Sequence, residues 1–267
     1  VSDSRSNSFN RNQNHRFNLR MEFYIDSNNS VLYTASLTFQ HSESDSYDTS
    51  FTNSSINGGA QYLASRGASR NTNERDGFNL NNNLLYRRKF GKIGGTLTID
   101  LQNSINNSDG NGTNLSDYKY FDETGTQIDS IYQNLRNSQK TRSQNNQIST
   151  SYTEPLSFNK LLELNYAYTN RHSTSDRKAH NFNTATKEYD EINESQTNYF
   201  ENDFIAHRAG ANFRVQATKY NFQLGGAVEF SELINRSVRL WPTSRDTTVS
   251  QKFVNIFPTA NFQYQFS

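Results

Sequence analysis

Phe17-Asn18-Leu19-Arg20-Met21-Glu22-Phe23-Tyr24-Ile25 is the stretch whose reading decides the fold. Its odd positions are all apolar, and Arg20 and Glu22 sit between them. Successive side chains of a β-strand point to opposite faces, so this segment has one greasy face and one polar face. Such a strand suits a soluble sandwich and a membrane barrel equally. The connections between runs separate the two.

Outward from this run the same alternation recurs. Over 31–40, Tyr33, Ala35, Leu37 and Phe39 oppose Thr34, Ser36, Thr38 and Gln40. Runs follow at 78–88 (Phe78, Leu80, Leu84, Tyr86) and 95–105 (Leu97, Ile99, Leu101, Ile105, against Thr98, Asp100 and Gln102). The run at 142–153 is the weakest, with Ile148 and Tyr152 alone marking its apolar face. Three more lie at 161–169 (Leu162, Leu164, Tyr166, Tyr168), 204–215 (Ala209, Ala211, Phe213, Val215) and 221–231 (Phe222, Leu224, Val228, Phe230). The last, 252–266, holds Val254, Ile256, Ala260, Phe262, Tyr264 and Phe266 in one phase.

Short turns of about five to eight residues alternate with polar stretches of about twenty to thirty-six, near 41–77, 106–141, 170–203 and 232–251. Loops that long are uncommon inside compact soluble domains, whereas outer-membrane barrels carry short turns on one rim and long extracellular loops on the other. Arg20, Glu22, Asp100, Glu163, Arg208, Arg214 and Glu229 all fall on the polar phase of their runs. A charge on the lipid face at mid-bilayer costs about 2–4 kcal/mol, and in a wet lumen it costs little. The expectation is an all-β fold: an antiparallel transmembrane β-barrel, with residues 1–267 forming one partial barrel domain. Single-chain bacterial barrels have even strand counts, so about nine strands read as an arc of a larger barrel.

Composition agrees with this. Hydrophobic residues make up 32% of the 267, and mean hydropathy is strongly negative, values that on their own suggest disorder. The 19 Phe and 15 Tyr argue otherwise, because disordered chains are poor in aromatics and here the aromatics keep register with the runs. No run of about 18 apolar residues exists to form a membrane helix, and a barrel needs none. A net charge of +1 with both signs interspersed gives no basic stripe for nucleic acid. The absence of cysteine excludes disulfides and thiolate metal sites. Val1-Ser2-Asp3-Ser4-Arg5 lacks the features of a signal peptide, so an exported chain is expected here as a mature or truncated piece.

Three segments resemble a known family. Leu84-Leu85-Tyr86-Arg87-Arg88-Lys89-Phe90-Gly91-Lys92-Ile93-Gly94-Gly95-Thr96-Leu97 is similar to its Tyr-Arg-Arg-x-Phe-Gly-x-x-Gly hairpin. Glu154-Pro155-Leu156 followed by Leu162-Glu163-Leu164-Asn165-Tyr166 resembles a second hairpin. Asn255-Ile256-Phe257-Pro258-Thr259-Ala260-Asn261-Phe262-Gln263-Tyr264 resembles its Phe-Pro-Ser-x-x-x-x-Tyr strand. The family is the outer-membrane β-barrel domain of TonB-dependent receptor-like proteins of Bacteroidetes, and the resemblance covers roughly residues 75–267. It implies a multi-pass 22-stranded barrel in the outer membrane of a Gram-negative cell and uptake of a nutrient. It also implies a plug domain through which TonB is contacted, absent from this chain, and a surface lipoprotein as a possible partner beside outer-membrane lipid.

No enzymatic motif appears: there is no Gly-x-Ser-x-Gly elbow, P-loop or Gly-x-Gly-x-x-Gly. No catalytic, cofactor-binding or metal residues are assigned, no cofactor is expected, and the substrate-binding residues are left open. Tyr189-Asp190-Glu191-Ile192-Asn193-Glu194 has oxygen ligands for Ca²⁺ but reads as a solvated loop face. Asp109-Gly110-Asn111-Gly112-Thr113-Asn114 lacks Gly at the sixth position and Glu at the twelfth of a calcium loop and reads as a flexible turn. His15, His41, His172, His180 and His207 show no local metal-ligand spacing. Tyr24, Tyr33, Phe39, Tyr86, Tyr152 and Tyr264 are candidates for interfacial aromatic girdles. Tyr118, Tyr120 and Phe121 are read as loop aromatics that either pack locally or stack on a sugar or peptide. Two alternatives to nutrient uptake stay open: a non-importing structural or secretion-complex barrel, and a secreted soluble all-β adhesin.

Overall fold

Alternation along the chain becomes a single antiparallel sheet in the computed structural model, which describes residues 1–56 and 59–266. The strands are β1 (Ser2–Tyr24), β2 (Asn29–Ser55), β3 (Gln61–Lys89), β4 (Thr96–Phe121) and β5 (Gln127–Ser157). They continue with β6 (Lys160–Asn183), β7 (Glu188–Ile192), β8 (Asn198–Gln216), β9 (Tyr220–Arg239) and β10 (Arg245–Tyr264). The sheet runs in sequence order from β1 to β10, except that the short β7 leaves the path and pairs with β6. The path therefore holds the nine alternating runs, and β7 is the tenth strand. No helix occurs among the described residues. The sheet is open, with β1 and β10 at its two ends.

The polar stretches near 41–77, 106–141, 170–203 and 232–251, expected as long loops, are strand over most of their length. β2 and β3 stay paired from Ser30↔Arg87 up to Ser55↔Gln61, with one register shift at Thr52/Asn53. β4 and β5 stay paired up to Phe121↔Gln127. Apart from β7, the strands run from 19 to 31 residues, far beyond the about ten needed to cross a membrane. These extensions carry no hydrophobic period because both of their faces are polar. Ladder hydrogen bonds and pairs such as Thr72–Thr113 (2.6 Å) and Asn71–Asn114 hold them instead. Asn57 and Gly58 at one tip, and Ser267 where the final run stops, lie outside the described residues.

Side-chain chemistry explains where the chain reverses. Asp26 accepts from the backbone N–H of Asn28 (2.7 Å) and Asn29 (2.8 Å), an Asx turn closing β1 onto β2. Asp122 does the same for Thr124 and Thr126 at 2.9 Å, with Gly125 supplying the φ of +82° that its turn requires.

One sheet layer has no second layer to cover its apolar face. Phe17, Ile256 and Phe262 are 61%, 73% and 66% exposed, and the buried apolar residues are few (Leu32, Leu135, Ala179, Ala206). Together the exposed apolar side chains form a belt along the lower part of every long strand. Leu19, Ala35, Asn82, Asn103, Asn146, Asn170, Ile205, Glu232 and Lys252 form one row of directly paired positions across the sheet. On β2 and β3 this row crosses mid-belt, between Tyr33–Leu84 and Leu37–Leu80. On β9 and β10 it lies above the belt, whose centre there is Val228↔Ile256 and Gly226↔Pro258. The belt thus drifts by about one residue per strand, the stagger of a barrel wall whose strands tilt roughly 35–45°.

Candidate functional site

The face opposite the belt carries the polar phase of each strand, and there the charges find partners. Arg87 lies 3.5 Å from Glu22. Asn83 and Gln102 donate to Asp100 at 2.5 and 2.6 Å. Asn212 donates to Glu163 (3.4 Å), and Arg214 to Gln223 (3.1 Å). Arg208 stacks 4.4 Å from the centroid of Phe257. All seven charges assigned to the polar phase fall on this face, which in a closed wall lines a wet lumen.

The belt's lower edge is marked by tyrosines whose rings lie on the apolar phase and whose hydroxyls reach polar groups. Tyr86 donates to Asn29 (2.6 Å) and Tyr152 to Glu154 (2.5 Å), with Lys92 also on Glu154. Tyr264 pairs with Tyr220 at the foot of β9 and β10. Phe39 and Phe78 mark the upper edge on β2 and β3, their centroids 5.5 Å apart. The tyrosine edge suits side chains with one apolar and one wet end. Two of the candidate girdle residues do not belong. Tyr24 lies on the polar phase at the turn, and Tyr33 sits in mid-belt, donating to Asn82 (2.9 Å).

Just above the belt, on its own face, the structure assembles two groups that local spacing did not disclose. His41 on β2 faces Asp76 on β3 (Nδ1 to Oδ1, 2.8 Å), and Nε2 meets Glu43 at 3.0 Å. Glu43 and then Asp76 raise the His41 pKa, while His41 lowers that of Glu43. Glu74 completes a set of His, Glu and Asp donor atoms within 4.8 Å of one another. His172, Glu201 and Asp203 on β6 and β8 form a second such set, with His172 Nδ1 2.7 Å from Asp203. Both pair a histidine with the aspartate of a Glu-x-Asp on the neighbouring strand. A signal did exist: pairing Tyr33 with Leu84 in the belt puts His41 opposite Asp76 by register alone. His207 lies in the belt, its Nδ1 2.9 Å from the Tyr166 hydroxyl. His15 and His180 lie within β1 and β6.

The sequence profile of an outer membrane protein beta-barrel family matches residues 88–267. The chain belongs to this family. No match is found among curated proteins. Membership places the barrel in the outer membrane and identifies the belt as its lipid face, so the soluble-adhesin alternative is set aside. The extended hairpins rise from one rim of the barrel, above the belt, and the short turns close the other.

Within the barrel, Asp109–Asn114 is not a flexible turn but strand β4, where Asp109 accepts from Arg142 at 2.6 and 2.9 Å. Arg142 holds the Asp109 carboxyl below its usual range. Tyr118, Tyr120 and Phe121 also lie in β4 rather than a loop. Tyr118 covers Gly67, where a Cβ would collide with its ring, and Arg66 sits 5.6 Å over Phe121. Tyr189 of the acidic stretch packs on Phe182 (5.2 Å) and donates to Asn134 (2.8 Å). Among the described residues its carboxylates do not gather into a three-donor group.

Proposed function

We propose that the barrel takes part in nutrient uptake across the outer membrane as a TonB-dependent receptor-like protein, without catalysis. The observation that carries the reading is the pairing of a polar, internally hydrogen-bonded inner face with tall hairpins standing on one rim. A lumen lined by Asn, Gln, Ser, Thr and mixed charges presents hydrogen-bond partners to a polar solute. The hairpins would capture that solute outside the cell, and a plug domain contacting TonB would gate its passage. Deleting the gene and growing the strain on single nutrients tests this. A defect on one nutrient is expected, restored by the gene, with that restoration lost when TonB is also absent. Normal growth on every nutrient would contradict it.

One observation favours the non-importing reading. The hairpins are paired strand almost to their tips, a stiff surface suited to holding a partner such as a surface lipoprotein. Co-purification of a stoichiometric partner, with nutrient uptake unchanged on deletion, would select it.

A further inference from the structure

The two histidine–carboxylate sets are built alike, and one has the outer shell of a metal site. Metal-bound histidine binds through one ring nitrogen, while a carboxylate or carbonyl holds the other and orients the ring. His41 has that arrangement: Nδ1 faces Asp76, with Glu74 completing the donor set, and Nε2 is engaged by Glu43. The same face holds a depression of about 360 Å³, floored by Phe39 and Phe78 and rimmed by His15, His41, Asp76 and Asp109. It leaves room for a water or exogenous ligand beside His41 and Asp76. Each ligand stands on a paired strand, so the backbone is held before any ion arrives.

We propose that His41, Glu74 and Asp76 bind a divalent transition-metal ion, of which Zn²⁺ fits the mixed imidazole and carboxylate donors best, with Glu43 as the orienting group. His172, Glu201 and Asp203 form a second and weaker site. Its Glu201 is shared with Arg236 at 3.6 Å, which competes with a cation for the carboxylate. Both sites face outward directly above the lipid belt, at the level where the barrel leaves the hydrocarbon. The inference rests on the register of the hairpins and stands whichever solute the lumen passes.

The test is calorimetric titration of the full chain, refolded in detergent, with ZnCl2 alone. Wild type is expected to show one tight site and one weaker site. His41→Ala or Asp76→Asn should weaken the tight site by about 100-fold or more, and Glu43→Gln by about 10–100-fold with its stoichiometry kept. His172→Ala should remove only the weaker one, and His180→Ala should change neither. Heat-modifiable gel migration of each variant separates loss of a site from loss of the fold. Absence of Zn²⁺ uptake by folded wild type in the micromolar range, or a tight site that survives His41→Ala, would overturn the proposal.

Discussion

Each long strand of this barrel is two materials joined end to end. Below, from Leu97 to Ile105 on β4, apolar and polar residues alternate, and the sheet separates lipid from a wet interior. Above, from Asn107 to Lys119 on the same strand, polar groups dominate both faces and the sheet stands in water. Backbone pairing is continuous through both. What differs is the consequence of a side chain. In the belt its face decides the energy, and in the hairpins only its cross-strand neighbours do.

The largest effect is expected where that difference is sharpest. Leu101→Arg places a charge near mid-belt on the lipid face and should destabilise the barrel by about 2–4 kcal/mol. Gln102→Arg, one residue on, should change stability little. Reversible urea unfolding in lipid vesicles reads both, and equal effects would erase the distinction between the two faces. In the hairpins a smaller loss is expected from Gly67→Ala, whose Cβ would collide with the Tyr118 ring. Overpacking of this kind costs about 1–3 kcal/mol, and adding Tyr118→Ala should recover part of it in the same measurement.

Smaller still is the effect of Asn103→Ala. Asn82 donates to Asn103 at 3.4 Å and Asn103 to Asn146 at 2.7 Å, on the lipid-facing phase. Breaking such a chain should cost about 1 kcal/mol, because the Asn82 amide N–H loses its acceptor and the Asn146 amide oxygen its donor, while Asn82 still accepts from Tyr33. The smallest effect is one of pH. Arg142 depresses the pKa of Asp109, so the pair's contribution is present above the ordinary carboxylate range. It is lost as pH falls through the depressed value. Both side chains are near half-exposed, so the loss is small and screened by salt. Comparing wild type with Asp109→Asn in acid unfolding curves isolates it.

The belt was legible because lipid imposes period two on every strand: Phe17–Ile25 and Val254–Phe262 can be phased without knowing their partners. Charges confirmed the phase, since Arg208 or Glu229 in the other register would face hydrocarbon. The hairpins were not legible, because Asn71, Thr72, Thr113 and Asn114 look like loop composition until they are paired. Composition alone cannot separate a polar loop from a two-sided polar ladder. Nor could His41 and Asp76 be joined by local spacing, because strand register brings them together across a hairpin. Extrapolating the belt's register upward is the step that would have found both. Tyr24 failed as a girdle residue for a simpler reason: its position at a strand end is right and its phase is wrong.

The alternation marking the lipid face stops where the hairpins begin, although the strands do not. The chain has no cysteine, so single cysteines can be introduced from Leu97 to Lys119 on β4 and spin-labelled in lipid vesicles. Accessibility to oxygen and to a water-soluble paramagnetic reagent should alternate with period two from 97 to 105. From 107 onward positions on both faces should be open to the water-soluble reagent, the buried Ser116 excepted. Alternation that continues through 119, or fails between 97 and 105, would contradict the account.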